Sequence, residues 1–127
     1  MNAQNRPLFW IGSSLDDLKE FPEDVQRVMG FALRRVQDGG KHIDTKPLKG
    51  FGGAGVLEII ENENGNTYRG VYTVKFVEVV YVLHVFQKKS RKGISTPKHE
   101  TDLIKDRLKR AEEHYCGWCK EMGYDHD

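Results

Sequence analysis

The sequence predicts an α+β domain in which helices cover a mostly antiparallel sheet, and three observations predict it. Val25, Val28, Met29, Ala32, Leu33 and Val36 recur at spacings of three and four, the mark of a helix with one apolar stripe. Three segments rich in Val, Ile, Tyr and Thr follow one another between residues 56 and 86, with the short connections of an antiparallel meander. Leu103, Ile104, Leu108, Ala111 and Tyr115 give a second helical stripe near the end. At 127 residues, 38% hydrophobic and 31% charged, the chain suits one compact domain over 1–127 and excludes collagen-like and low-complexity classes.

The elements follow in order. Pro7 to Ile11 is a first strand, closed by Gly12. Ser13 and Ser14 before Leu15-Asp16-Asp17 resemble a capping box. Phe21-Pro22 interrupts; Pro22 suits the first turn of a further helix, with Glu23 and Asp24 at its positive end. Gly39-Gly40 stops it, so residues 15–38 form a helical hairpin or one kinked helix. Residues 41–55 hold Gly50, Gly52, Gly53 and Gly55 and no sustained period, and read as a loop. Strands are expected over Val56–Glu61, Thr67–Lys75 and Val77–Phe86, with a turn at Asn62–Gly65. A basic loop spans 87–95, and Thr96-Pro97 opens the last helix. The order is β-α-α-β-β-β-α, with the helices expected on one sheet face.

The longest apolar run, Val77 to Phe86, is broken by Glu78 and His84 and is too short for a membrane span. The N-terminus has no basic region leading into a long apolar stretch. A cytoplasmic protein without a membrane partner is the expectation.

Net charge is +1, but its distribution is uneven. Residues 86–110 carry nine basic side chains against three acidic ones. Such a local positive field attracts polyanions even in a nearly neutral molecule. The glycine-rich loop at 49–55 lacks the Walker pattern and precedes a strand rather than a helix, which argues against a nucleotide cradle. No recognisable Ser/His/Asp set and no H-E-x-x-H motif is present.

What remains is basic and aromatic. Arg69 lies in the second meander strand; His84, Phe86 and Lys88 share one parity along the third and its extension, and Tyr81 has the other. Lys89, Arg91 and Lys92 follow, and Lys46 and Lys49 precede the first meander strand. Cations converging on a sheet face suit RNA, neutralising phosphates and stabilising the charge of a phosphoryl-transfer transition state. The RNA 2′-OH would be the nucleophile, leaving the protein to supply a base, a cation and an acid. The plainer alternatives are that Arg69 is a surface or ion-pair residue and His84 a satisfied core histidine.

The runs Lys46-Pro47-Leu48-Lys49-Gly50, Val56-Leu57-Glu58-Ile59, Tyr68-Arg69, Leu83-His84-Val85-Phe86-Gln87-Lys88-Lys89-Ser90 and Thr96-Pro97-Lys98 with Glu100 together resemble the phage-derived Gp49-like, HigB-type branch of the RelE/ParE toxin superfamily. The resemblance runs from about Pro7 to Arg110. It implies a toxin that cleaves mRNA on the ribosome without a metal or small-molecule cofactor, silenced by a cognate helix-turn-helix antitoxin. It also leaves room for a non-catalytic or gyrase-inhibiting module of the same fold. Carried onto this chain, it implies that Arg69 holds the scissile phosphate and Lys88 contributes charge or proton transfer, with His84 as a candidate base or acid. Lys46, Lys49, Lys89, Arg91 and Lys92 would grip RNA.

Two features depart from the pattern. Gly70 follows Arg69 where a large apolar residue is expected, and either loosens the strand or marks a bulge. A C-terminal extension from about 111 to 127 holds Cys116-Gly117-Trp118-Cys119. A lone C-x-x-C is a redox pair, half of a zinc site with His114 and His126, or two reduced thiols beside a packing Trp118; the last is the expectation, and no metal site is assigned.

Overall fold

The computed structural model describes residues 5–40, 45–52, 55–88 and 96–123. Strand β1 (Leu8–Trp10) leads into helices α1 (Ser14–Lys19) and α2 (Glu23–Gln37). Strands β2 (Thr45–Pro47), β3 (Val56–Glu63), β4 (Asn66–Thr73) and β5 (Val80–Lys88) follow, then helix α3 (Lys98–Met122). The strands form one sheet in the order β1-β5-β4-β3-β2. Every described pairing is antiparallel except that of β1 with β5. The α+β class, the meander and the three helical segments are those the sequence predicts.

Several details differ. Strand β2 lies inside the stretch read as a loop; three residues ending in Pro47 carry no period to detect, and proline suits a short edge strand. Strand β5 starts at Val80 because Phe76 to Glu78 form a bend and turn. Ser13 does sit at the start of α1, but its hydroxyl donates to Asp17 Oδ2 (2.8 Å) instead of capping a backbone N–H.

The helices cover both faces, not one. Leu18 of α1 and Val25, Met29, Ala32, Leu33 and Val36 of α2 pack with Ile59, Tyr68, Tyr72 and Val85 on one face. Ile104 and Ala111 of α3 pack with Val71, Tyr81, Leu83 and Phe86 on the other. The physical reason is strand β5, buried from Val80 to Phe86 on both sides. A strand so placed must be covered twice.

A β-bulge sets which β5 side chains meet which helix. Val71 pairs with His84, but the next residue, Tyr72, pairs with Val82, so Leu83 is the extra residue. Before it Val80 and Val82 face α2 and Tyr81 faces α3; after it His84, Phe86 and Lys88 take the α3 side. The shared parity of His84, Phe86 and Lys88 therefore holds. The opposite placing expected for Tyr81 does not, because the bulge brings it to the same face.

Helix α3 runs unbroken into the extension as far as Met122. Its last turns pack on the β1/β5 end of the sheet, where Phe9 meets His114 (centroids 4.6 Å apart) and Trp118 (6.4 Å), and Phe76 stacks on Tyr115 (4.2 Å). This is the end of β5 away from Lys88, so the described part of the extension does not lie over the Arg69 end of the face.

Gly70 is neither slack nor the bulge itself. A Cβ there would lie 3.0 Å from Met29 Sδ, so a bare backbone lets α2 approach β4. Gly70→Val should cost about 1–3 kcal/mol by overpacking, read by urea denaturation, and pairing it with Met29→Ala should recover part of the loss.

Candidate functional site

Four strands each place a charged or aromatic group at the end of the α3-side face away from the C-terminal extension. Lys46 on β2 stands opposite Glu58 on β3. Arg69 on β4 lies opposite Phe86, and Lys88 at the end of β5 lies opposite Thr67. Residues directly opposite, and their diagonal neighbours, are within reach of long side chains. Arg69 Nη1 donates to Glu58 Oε1 at 2.8 Å, with the arginine side chain 12% exposed and the carboxylate 3%. Glu58 Oε2 and Arg69 Nε are buried without a hydrogen-bond partner among the described residues. The pair is thus held by one strong contact with capacity unspent on both sides.

Lys88 is buried at 5% exposure. Burial pushes its ammonium below the ordinary lysine range; Arg69 and Lys46 add to that push, and Glu58 opposes it. Lys46, Arg69 and Lys88 thus bring three cationic side chains around the one buried Glu58 carboxylate.

His84 is placed differently. Its Nε2 lies 2.7 Å from Glu100 Oε1, and its Nδ1 lies 3.3 Å from Arg107 Nη1. Arginine only donates, so Nδ1 is assigned as acceptor and Nε2 as the protonated nitrogen facing Glu100. The ring stacks on Phe86 with centroids 4.8 Å apart. Burial depresses the His84 pKa despite Glu100, which pulls it up. Both nitrogens are occupied, the geometry of a satisfied core histidine.

Of the other expected residues, Lys46 joins the row, whereas Lys49 sits in the exposed turn after β2. Lys89, Arg91 and Lys92 lie outside the described residues. Glu58 was the residue missed as a functional candidate; its signal was a carboxylate at a core-facing strand position, with Val56 two places away on the same side. Arg107 was missed likewise, counted only among the nine basic side chains of residues 86–110. It is buried, and donates to the Leu83 carbonyl (3.0 Å) and Ser13 Oγ (3.1 Å).

The two cysteines diverge: Cys119 is buried and Cys116 exposed. The His114 ring is engaged by the Tyr81 hydroxyl at 2.8 Å. Among the described residues no group of three or more His, Cys, Asp or Glu is arranged to hold a metal, and His126 lies outside them. No described helix is long and apolar enough to cross a membrane.

The family model described as "Phage derived protein Gp49-like" matches residues 16–109. That span holds the whole row from Lys46 to Lys88 and ends within α3. No curated protein and no solved structure matches the chain.

Glu58→Ala would leave the nearly buried Arg69 guanidinium without its carboxylate partner. It should cost about 3–5 kcal/mol in chemical denaturation, whereas replacing Glu58 and Arg69 together by Met should cost far less. His84 supplies a pH test. Because its folded pKa is depressed, the unfolded chain binds its proton first as pH falls. Stability from this group is full above the ordinary histidine pKa of about 6.5 and declines as pH drops toward the folded value. Denaturation from pH 7.5 to 5 should show that decline, and His84→Gln should flatten it.

Proposed function

The chain belongs to the phage-derived Gp49-like family, a family of RelE/HigB-like toxins, and from that premise we propose that it is the toxin of a toxin–antitoxin pair that cuts messenger RNA on the ribosome. The nucleophile is the RNA's own 2′-OH, which gives its proton to water as it attacks the adjacent phosphorus, forming a 2′,3′-cyclic phosphate and releasing the 5′-oxygen. The observation that carries this reading is the row of Lys46, Arg69 and Lys88 at one end of one sheet face, gathered around a buried Glu58.

Each residue has a part. Arg69 holds the scissile phosphate: Glu58 engages Nη1 and fixes the guanidinium, leaving other donors of a five-donor group for phosphate oxygens. Lys88, with its pKa drawn downward, stabilises the developing charge and passes a proton to the leaving 5′-oxygen more readily than an ordinary lysine. Lys46 at the sheet edge grips the backbone, with Lys49, Lys89, Arg91 and Lys92 extending the track. His84 supports Phe86 from behind, although as a candidate acid or base it has no nitrogen facing the row. The reaction asks for no metal or cofactor. The partners are the ribosome with its mRNA and a cognate helix-turn-helix antitoxin, and the place of action is the cytoplasm.

One observation favours a second reading. Arg69 is already paired and only 12% exposed, as suits a non-catalytic or gyrase-inhibiting module whose charges serve the fold. Induced expression without antitoxin separates the two. Wild type should arrest growth and create new mRNA 5′ ends inside translated messages. Arg69→Ala and Lys88→Ala should each reduce cleavage by roughly 10²–10³-fold, the usual loss for one transition-state donor. Lys88→Arg keeps the charge but cannot release the proton, so it should restore little. Arrest without new ends would favour the second reading.

A further inference from the structure

His84 is a buried titratable group that the proposed reaction leaves unused, and it lies between opposite charges. From α3 it meets Glu100 at Nε2 (2.7 Å) and Arg107 at Nδ1 (3.3 Å). From α1 the charge of Asp17 reaches it, and on β4 it stands opposite the apolar Val71. The exposed His99 lies 3.7 Å from the other oxygen of Glu100. A neutral ring with its proton on Nε2 satisfies both close neighbours, donating to the carboxylate and accepting from the guanidinium. A protonated ring cannot. Its Nδ1–H would be aimed at a group that carries only donors.

The arginine is held on its other sides. Nη1 also donates to the Leu83 carbonyl (3.0 Å), and Nη2 donates to Ser13 Oγ (3.1 Å). A Cβ at Gly12 would lie 2.8 Å from its Nε, so the backbone before α1 closes that side. The ring is therefore the part that gives way, and Phe86 is stacked on it with the two planes 17° apart. Phe86 stands directly opposite Arg69, and Lys88 follows two residues on along the same face. We infer that Glu100 and Arg107 are positioning residues for the proposed site, holding the neutral His84 in one tautomer, and that protonation of His84 displaces Phe86 and switches the site off in acid. The inference rests on the reading of that site and names its regulation. Glu100 favours the protonated ring and Arg107 the neutral one, so the two between them set where the switch turns.

The test is nitrogen NMR of the isotopically labelled full-length chain, titrated downward from pH 7.5 while circular dichroism shows that it stays folded. At the start the His84 ring should carry its proton on Nε2 alone. As the ring protonates, the backbone amides of Phe86 and Lys88 and the Arg69 Nε–H should shift with the ring's own midpoint. Cleavage of ribosome-bound message should fall over the same interval. Glu100→Gln should move the midpoints of ring and site together to lower pH. His84→Gln keeps one donor and one acceptor but does not titrate, so it should abolish the shifts while His99 remains in place. A neutral ring protonated on Nδ1, a ring that stays neutral until the chain unfolds, or site signals that ignore its titration would each overturn the inference. So would shifts that persist in His84→Gln, which would assign them to His99 or another group. Site signals that follow the ring in a chain that cuts no message at any pH keep the coupling and remove the nuclease reading. Cleavage unchanged across the ring's titration would do the reverse.

Discussion

The bulge at Leu83 and His84 is the constraint on which the rest depends. A β-strand alternates faces at every residue, so one inserted residue reverses everything beyond it. Without the insertion Lys88 would point toward α2, on the wrong side of the sheet from Arg69. With it, Phe86 and Lys88 join Arg69 and Glu58 on one face. Arg107 anchors the irregularity: from α3 it reaches the Leu83 carbonyl, the His84 ring and Ser13 at the start of α1. Gly12 makes room, since a Cβ there would lie 2.8 Å from the guanidinium. One buried arginine thus ties α3, the bulge and the α1 turn together, and His84 passes the linkage on to Glu100 and Phe86.

The site end of the sheet trades stability for charge. A buried lysine beside an arginine is costly, and the downward push on the Lys88 pKa records that cost. Glu58 offsets it by pairing with Arg69, yet leaves one carboxylate oxygen and one guanidinium nitrogen without hydrogen-bond partners among the described residues. A core shaped by folding alone would place apolar residues here, as it does at Val71 and Tyr81 further along the same face. Departures of this kind concentrate at functional sites.

Much of this architecture was legible in the residues. The stripes at 25–36 and 103–115 and the β-branched meander carry strong periodic signals, and the Asn64-Gly65 turn closes β3 on β4 as its composition suggests. The shared parity of His84, Phe86 and Lys88 was readable too. The bulge was not, because an extra residue in a continuously apolar strand leaves no trace in composition. For the same reason Tyr81 was placed on the wrong face. The covering of both faces was hidden, since one-sided and two-sided burial differ in neighbours rather than in pattern. The Arg69–Glu58 pair joins residues eleven positions apart across a hairpin, and Arg107 looked like one more charge on a basic helix.

The central claim is that this sheet face promotes attack by the RNA's own 2′-OH. It is tested most directly with ribosomes programmed by a message carrying 2′-deoxy nucleotides throughout the A-site codon, beside the unmodified message. The account predicts that the purified protein cuts the unmodified message, leaving a 2′,3′-cyclic phosphate, and spares the deoxy one. Equal cutting of both, or cutting of neither, would contradict it.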